Sequence, residues 1–401
     1  MQGAPGIRRG ELALMSVATG TVIANLYFAQ PLEETMAREL RLSTGAMGVV
    51  LTLFQVGYAL GLATLVPLGD LVERRRLLAV LITICAAGMI GLATAPGPAV
   101  LQAAALVVGV TTVVVQIIVP FAAHLAAPPE RGRVVGTVMS GLLIGILVSR
   151  TVGGLLAEVA GWRAVFALGG AATALVGVLL YRALPRVTPT TTLPYPKLLA
   201  SVLTLVREEP GLRIRMFYGA TVSASFSVLW TNLGFLLARP PYSWNNAAIG
   251  AFALLGVAGA GMAMVAGRLA DRGHARATTG GCLFVIVVSY LALWAGGHDV
   301  VALAIGVAVM DLGCQGAHLS NQSVIYRLRP DAHSRVNTAY ITSYFVAGAV
   351  GSGLSAVLVH PRFGWEGVCI LGGAFSLLGL LVWGAGLRRR GSRGRCRGRT
   401  G

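Results

Sequence analysis

The sequence predicts an all-α integral membrane protein, with twelve transmembrane helices in two six-helix bundles related by pseudo-twofold symmetry. Three observations lead there: an apolar composition, a series of apolar runs long enough to cross a bilayer, and a repeat at half the chain length. Of 401 residues, 55% are hydrophobic and 12% charged, against roughly 25% charged in soluble domains. Mean hydropathy is +0.75. A soluble chain of this size could not hide so much apolar surface, which excludes ordinary cytosolic enzymes and disulfide-stapled secreted domains.

A spanning helix needs about 20 mostly apolar residues. Runs of that kind cover 12–32, 46–67, 77–95, 99–126, 134–157, 162–182, 214–238, 247–268, 276–296, 300–326, 336–359 and 365–387. The first is read as a helix and not as a removed leader, since no small-residue cleavage site ends it. Unbroken runs also exclude a transmembrane barrel, whose strands are short and alternating.

Charge orients these spans. The net charge is +17, but the basic residues sit in short loops, so no nucleic-acid partner is expected. With both termini cytoplasmic, 26 of the 32 Lys and Arg fall inside, 5 fall outside, and Arg150 lies within a span. That asymmetry follows the positive-inside rule and places the chain in the plasma membrane, which is the inner membrane in a Gram-negative cell.

The longest loop, 183–213, carries Pro185, Pro189, Pro194 and Pro196 with a Thr run, then an amphipathic stretch from Lys197 to Glu209. It reads as a cytoplasmic linker between an N-terminal bundle, 1–182, and a C-terminal bundle, 214–387. Residues 388–401 form a basic cytoplasmic tail, expected to be unstructured and drawn to anionic headgroups. The halves repeat. Gly161-Trp162 opens GWRAVFALGGA and Gly364-Trp365 opens GWEGVCILGGA, 203 residues on, while Asp70 and Asp271 lie 201 apart. Such duplication, with a site between the repeats, is a transporter architecture.

The loop motifs then resemble the major facilitator superfamily over essentially the whole chain. Its motif G-x-L-x-D-R-x-G-R-R is matched in part by Pro67 to Arg76, where Leu68, Asp70, Arg74, Arg75 and Arg76 fit; Leu71 and Glu73 stand in place of Arg and Gly. Gly267 to Gly273, with Asp271 and Arg272, matches more closely in the second half. The stretches 25–32, 311–323 and 334–338 look like the arabinose-efflux-permease and drug:proton antiporter branch. Two antiporter features differ: Ala105 stands where an intramembrane Arg would, and Arg150 where a Pro would.

The resemblance implies a major facilitator fold whose helices 1, 4, 7 and 10 line a cavity. It also implies a cytoplasmic gate motif of Asp70, Arg74, Arg75 and Arg76, with Asp271 and Arg272 as counterpart, that latches the outward-facing state.

The residues themselves point to a coupling site. Asp311, Gln315, His318 and Gln322 follow at i, i+4, i+7 and i+11, so they share a sector of about 60° on the tenth span. A polar stripe in lipid must face a cavity or another helix. Proton-coupling candidates are Asp311, His318 and Arg150, the last needing an anion or carbonyls nearby. Substrate-cavity candidates are Asn25, Tyr27 and Gln30; Gln55 and Tyr58; Thr112 and Gln116; Ser223, Ser227, Trp230 and Asn232; Gln315 and Gln322; and Tyr340 and Tyr344. Each could equally pack between helices. Together they describe a wide, mildly polar cavity containing aromatics.

The expected function is secondary active transport of a small solute by alternating access, as proton-coupled efflux of a drug-like or sugar-like compound. An uptake uniporter or proton symporter on the same fold, or a non-transporting membrane sensor, stands beside it. There is no phosphate-binding G-x-x-x-x-G-K-[ST] run, no metal-ligand spacing and no catalytic set, so neither cofactor nor enzymatic activity is expected. The partners are the bilayer, the solute and protons; the working form is expected to be a monomer.

Overall fold

A computed structural model describes residues 7–187, 194–256, 272–329 and 333–397 (backbone alone from 387), with 259, 262 and 269 from the stretch between. Among these residues there are only helices and turns. The spans are α1 (Arg9–Ala24), α2 (Thr44–Leu68), α3 (Arg74–Ala93), α4 (Pro98–Leu125), α5 and α6 (131–160 and 162–183), α7 (Pro210–Ala238), α8 (starting with Asn246–Phe252), α9 (Ala275–Ala295), α10 (Val300–Leu328), and α11 and α12 (333–363 and 365–397). Among the described residues, eight stretches are long and apolar enough to cross a membrane, and two of these, Arg131–Ala183 and Arg335–Gly386, each hold two spans.

The repeated Gly-Trp pair makes those two breaks. Gly161 has φ +80° and Gly364 φ +57°, a region that a side chain resists. The tryptophan that follows anchors each corner: the Trp162 indole donates to Glu39 at 2.6 Å and the Trp365 indole to the Leu293 carbonyl at 2.8 Å.

The structure corrects two expectations. The first span is not one helix to residue 32: α1 ends at Ala24, three-residue turns follow, and Gln30–Leu32 is a 3₁₀ turn before a short helix, Glu33–Glu39. Pro31 keeps the helix from resuming before residue 32, because its ring lacks an N–H and clashes with the carbonyl of Tyr27, four residues back. The expected unstructured tail is also helical in its first part, since α12 runs through Arg397. The linker stretch does form a helix, Tyr195–Glu208.

One end of the molecule bears the 69–73 and 126–131 turns and the linker, and is called the basic end. The halves are hydrogen-bonded together toward the other end. There Thr52 of α2 meets Ser352 of α11 at 3.1 Å, Thr151 of α5 donates to the Gly250 carbonyl of α8 at 3.0 Å, and Thr35 donates to Asn246 at 2.8 Å. Small residues let the backbones come this close. Gly154 faces the Asn246 carbonyl with no room for a side chain. Gly48 lies against Ala356, where α11 widens into a π-helical turn over Leu354–Val359.

Candidate functional site

Midway along the spans, three helices from both halves converge on Trp230. The residue sits on α7 and is buried. The Arg150 guanidinium of α5 lies 3.9 Å from the Trp230 ring centroid, and 5.0 Å from that of Tyr27. On its other side, the Trp230 indole N–H donates to Asp311 Oδ1 of α10 at 3.4 Å. Trp230 therefore bridges a cation of one half and a carboxyl of the other. Arg150 and Asp311 interact through their charges, but no ion pair joins them among the described residues.

Both groups are nearly dry, Arg150 at 3% and Asp311 at 5% exposure. Arg150 Nε donates to Gln30 Oε1 at 2.7 Å, while Nη2 is buried without a partner. Asp311 Oδ2 lies against Gly256 of α8. A buried guanidinium is expensive unless its donors are satisfied, and here it is held by two aromatic faces and an amide oxygen. A small cleft opens beside it, lined by Gln30, Arg150, Trp230, Leu233, Gly234 and Ile249.

The α10 stripe meets two different neighbours. Asp311 faces α7 and α8, and Gln315 packs beside Gly259. His318 turns to α11, where Nδ1 is 3.3 Å from the Tyr340 hydroxyl and its ring is 4.8 Å from that of Tyr344. Gln322 follows, half-buried.

The other candidates divide by position. Tyr27, Gln30, Trp230 and Asp311 gather around Arg150. A second cluster spans the halves: Gln55 accepts from Ser227 at 3.0 Å, and the Cα of Gly348 of α11 sits against Gln55, Ser223 and Ser227. Tyr58 accepts from Gln116 at 3.1 Å and stacks on Phe345 at 4.4 Å. Three candidates point instead into their own bundles. Asn25 donates to Thr173 at 3.0 Å, Thr112 meets Cys85 at 3.7 Å, and Asn232 donates to Ser355 at 2.9 Å. These are interhelix ties.

The gate motif is knitted within the first half. Asp70 accepts from Arg74 at 2.9 Å, and Arg74 also donates to the Gly69 carbonyl and lies over Phe121. Arg75 donates to the Leu184 carbonyl at 3.1 Å and stacks on Tyr181, whereas Arg76 pairs with Glu73. Arg272 is exposed, and Asp271 lies outside the described residues.

Two buried charges escaped the sequence reading. Arg215, at the basic end of α7, donates to Thr279 and Asn321. Glu33 is completely buried against α7. Glu33 directly follows the Pro-Leu that ends the first apolar run, and that adjacency was the available signal.

The comparisons with known proteins agree with this architecture. The Major Facilitator Superfamily model matches residues 12–316 and 242–399, so the fold and paired halves define a major facilitator transporter, and the chain belongs to that superfamily. Among its relatives, an Escherichia coli (strain K12) protein named "Putative uncharacterized transporter YgaY" is 46% identical over 94% of this chain and 96% of its own. A Streptomyces coelicolor protein named "Probable transporter SCO4007" is 34% identical over 92% and 85%. In fold, the chain is similar to a bacterial homolog of the human lysosomal transporter Spinster, with TM-score 0.72 and 16% identity over 94% and 95% of the two chains.

Proposed function

We propose that the protein is a proton-coupled exporter in the plasma membrane, moving a small drug-like or sugar-like solute by alternating access, with both termini and the basic end in the cytoplasm. One observation carries this reading: Trp230 joins Arg150 of one half to Asp311 of the other in the middle of the spans.

An ionised Asp311 attracts Arg150 across the interface. A proton on Asp311 removes that attraction and leaves the guanidinium held by Gln30, Tyr27 and Trp230 alone. Loading and unloading the proton thus changes how tightly the halves hold each other, which is what coupling requires. A solute that needs the ionised carboxylate or the Trp230 face competes with the proton, giving exchange. With the basic end inside, the hydrogen bonds at 35, 52 and 151 close the outer side. In this reading the pairs around Asp70 and Arg75, confined to the first half here, re-form across the halves when the protein faces outward.

Uptake by proton symport is the second reading, and Arg150 favours it: a guanidinium stands where the antiporter pattern has a proline. The test uses everted membrane vesicles holding an acid interior, a fluorescent pH probe, and a panel of lipophilic cations, antibiotics and sugars. Gradient loss that depends on the compound and disappears in Asp311→Asn supports export by antiport. Compound-dependent loss that is equal in both proteins removes Asp311 from the coupling role.

A further inference from the structure

Glu33 sits between the halves, away from Asp311, at the outer end. Its carboxylate is 0% exposed. Oε1 accepts the Phe235 backbone N–H of α7 at 3.0 Å. It reaches that N–H because the next residue back is Gly234: a Cβ there would overlap the carboxylate. Oε2 is buried with no partner.

The surrounding charges do not neutralise it. Arg239, at the end of α7, attracts the carboxylate, but its own bonds go to Glu34 at 2.8 Å and to Thr44 at 3.0 Å. His360 of α11 stacks against Phe235 at 6.0 Å, and Arg150, deeper in, bonds Gln30. Glu34 itself adds negative charge beside Glu33. An ionised carboxylate held by backbone amides, with no cation bonded to it, is costly to bury, whereas a neutral acid is tolerable. Burial accordingly pushes the Glu33 carboxyl well above the usual carboxylate range, with the Phe235 N–H pulling the other way.

We propose that Glu33 is a second proton-binding site, which closes the outer gate when protonated and opens it when ionised. This rests on the alternating-access reading but not on coupling at Asp311. The carboxyl lies in the seam that must part for the outer side to open, alongside the Thr35–Asn246 and Glu34–Arg239 contacts. Parting the seam hydrates Glu33 and lets the proton leave; reclosure requires a proton to return. The sign follows from the site: the closed form holds the proton more tightly, so acid favours closure and closure is lost as pH rises.

The experiment measures the distance between spin labels at Gly97 and His298, one in an outer loop of each half, by pulsed electron resonance. It uses the full-length protein in lipid nanodiscs, in a background without the native cysteines and without added solute. In wild type the longer-distance population is expected to grow from pH 5 to pH 9. Glu33→Gln is expected to stay at the short distance throughout. Should Glu33→Gln fail to fold, Gly234→Ala provides a second reading, because its methyl displaces the carboxylate and should favour the long distance at every pH. A wild-type distance that does not move with pH, or an unchanged titration in Glu33→Gln or Gly234→Ala, overturns the proposal. Compound-dependent gradient loss that is equal in wild type and Asp311→Asn in the vesicle assay, with this titration intact, would count against Asp311 alone.

Discussion

At the scale of single residues, the coupling reading depends on the Trp230 indole N–H, because a ring without it would still stack on Arg150 but could not reach Asp311. Trp230→Phe is therefore expected to keep the cation–π face and lose a hydrogen bond to a charged group, worth about 1.5 kcal/mol or a ~10-fold loss in transport. Initial rates at equal expression check this. Arg150→Lys is expected to be nearly as damaging as Arg150→Gln, since an ammonium neither stacks as a plane nor reaches Gln30 with the same fork; uptake assays on both variants decide it.

Residue identity was only partly legible in the sequence. Asp311 stood out because a carboxylate inside an apolar run has few innocent explanations. Glu33 did not, because it lies just past a span end, where acidic residues are common, and only folding shows that α7 covers it. Asn25 and Asn232 looked like cavity residues for the same reason in reverse: periodicity reports a polar face, but not which neighbour covers it.

At the scale of helices, the crossings between halves rest on missing side chains. Gly154 and the Asn246 carbonyl leave no space for a Cβ, so α5 and α8 close only if residue 154 is glycine. Gly154→Val is expected to force the helices apart at a cost of about 1–3 kcal/mol. It should lower transport while leaving expression and helicity intact, as circular dichroism of the purified variant would show.

Most of the spans were legible from hydropathy to within a few residues, because a bilayer leaves the backbone little choice; the first, which ends at Ala24, and the last, which runs through Arg397, were not. Their interruptions were less so. The 3₁₀ turn at Gln30–Leu32 follows from Pro31, yet an apolar run with one proline reads the same whether the helix bends or ends. The Gly161 and Gly364 breaks were visible only as a repeated Gly-Trp, and the repeat told of duplication before it told of a corner.

At the scale of the whole molecule, two bundles are held together at the end opposite the basic end, with Trp230 bridging Arg150 and Asp311 between them and a buried acid in their seam. The half-chain repeat and loop charges made the fold legible, since both are written along the chain. The pairing of Arg150 with Trp230 and Asp311 was not, because it joins positions 150, 230 and 311 across two bundles and depends on how they dock.

Coupling at Asp311 is decided in reconstituted vesicles loaded with the solute identified in the panel. Wild type and Asp311→Asn would be compared in two modes: solute exchange with no pH gradient, and accumulation driven by a pH gradient. Asp311→Asn is expected to retain exchange and to lose gradient-driven accumulation. Accumulation that survives in Asp311→Asn at the wild-type level would contradict coupling at this residue.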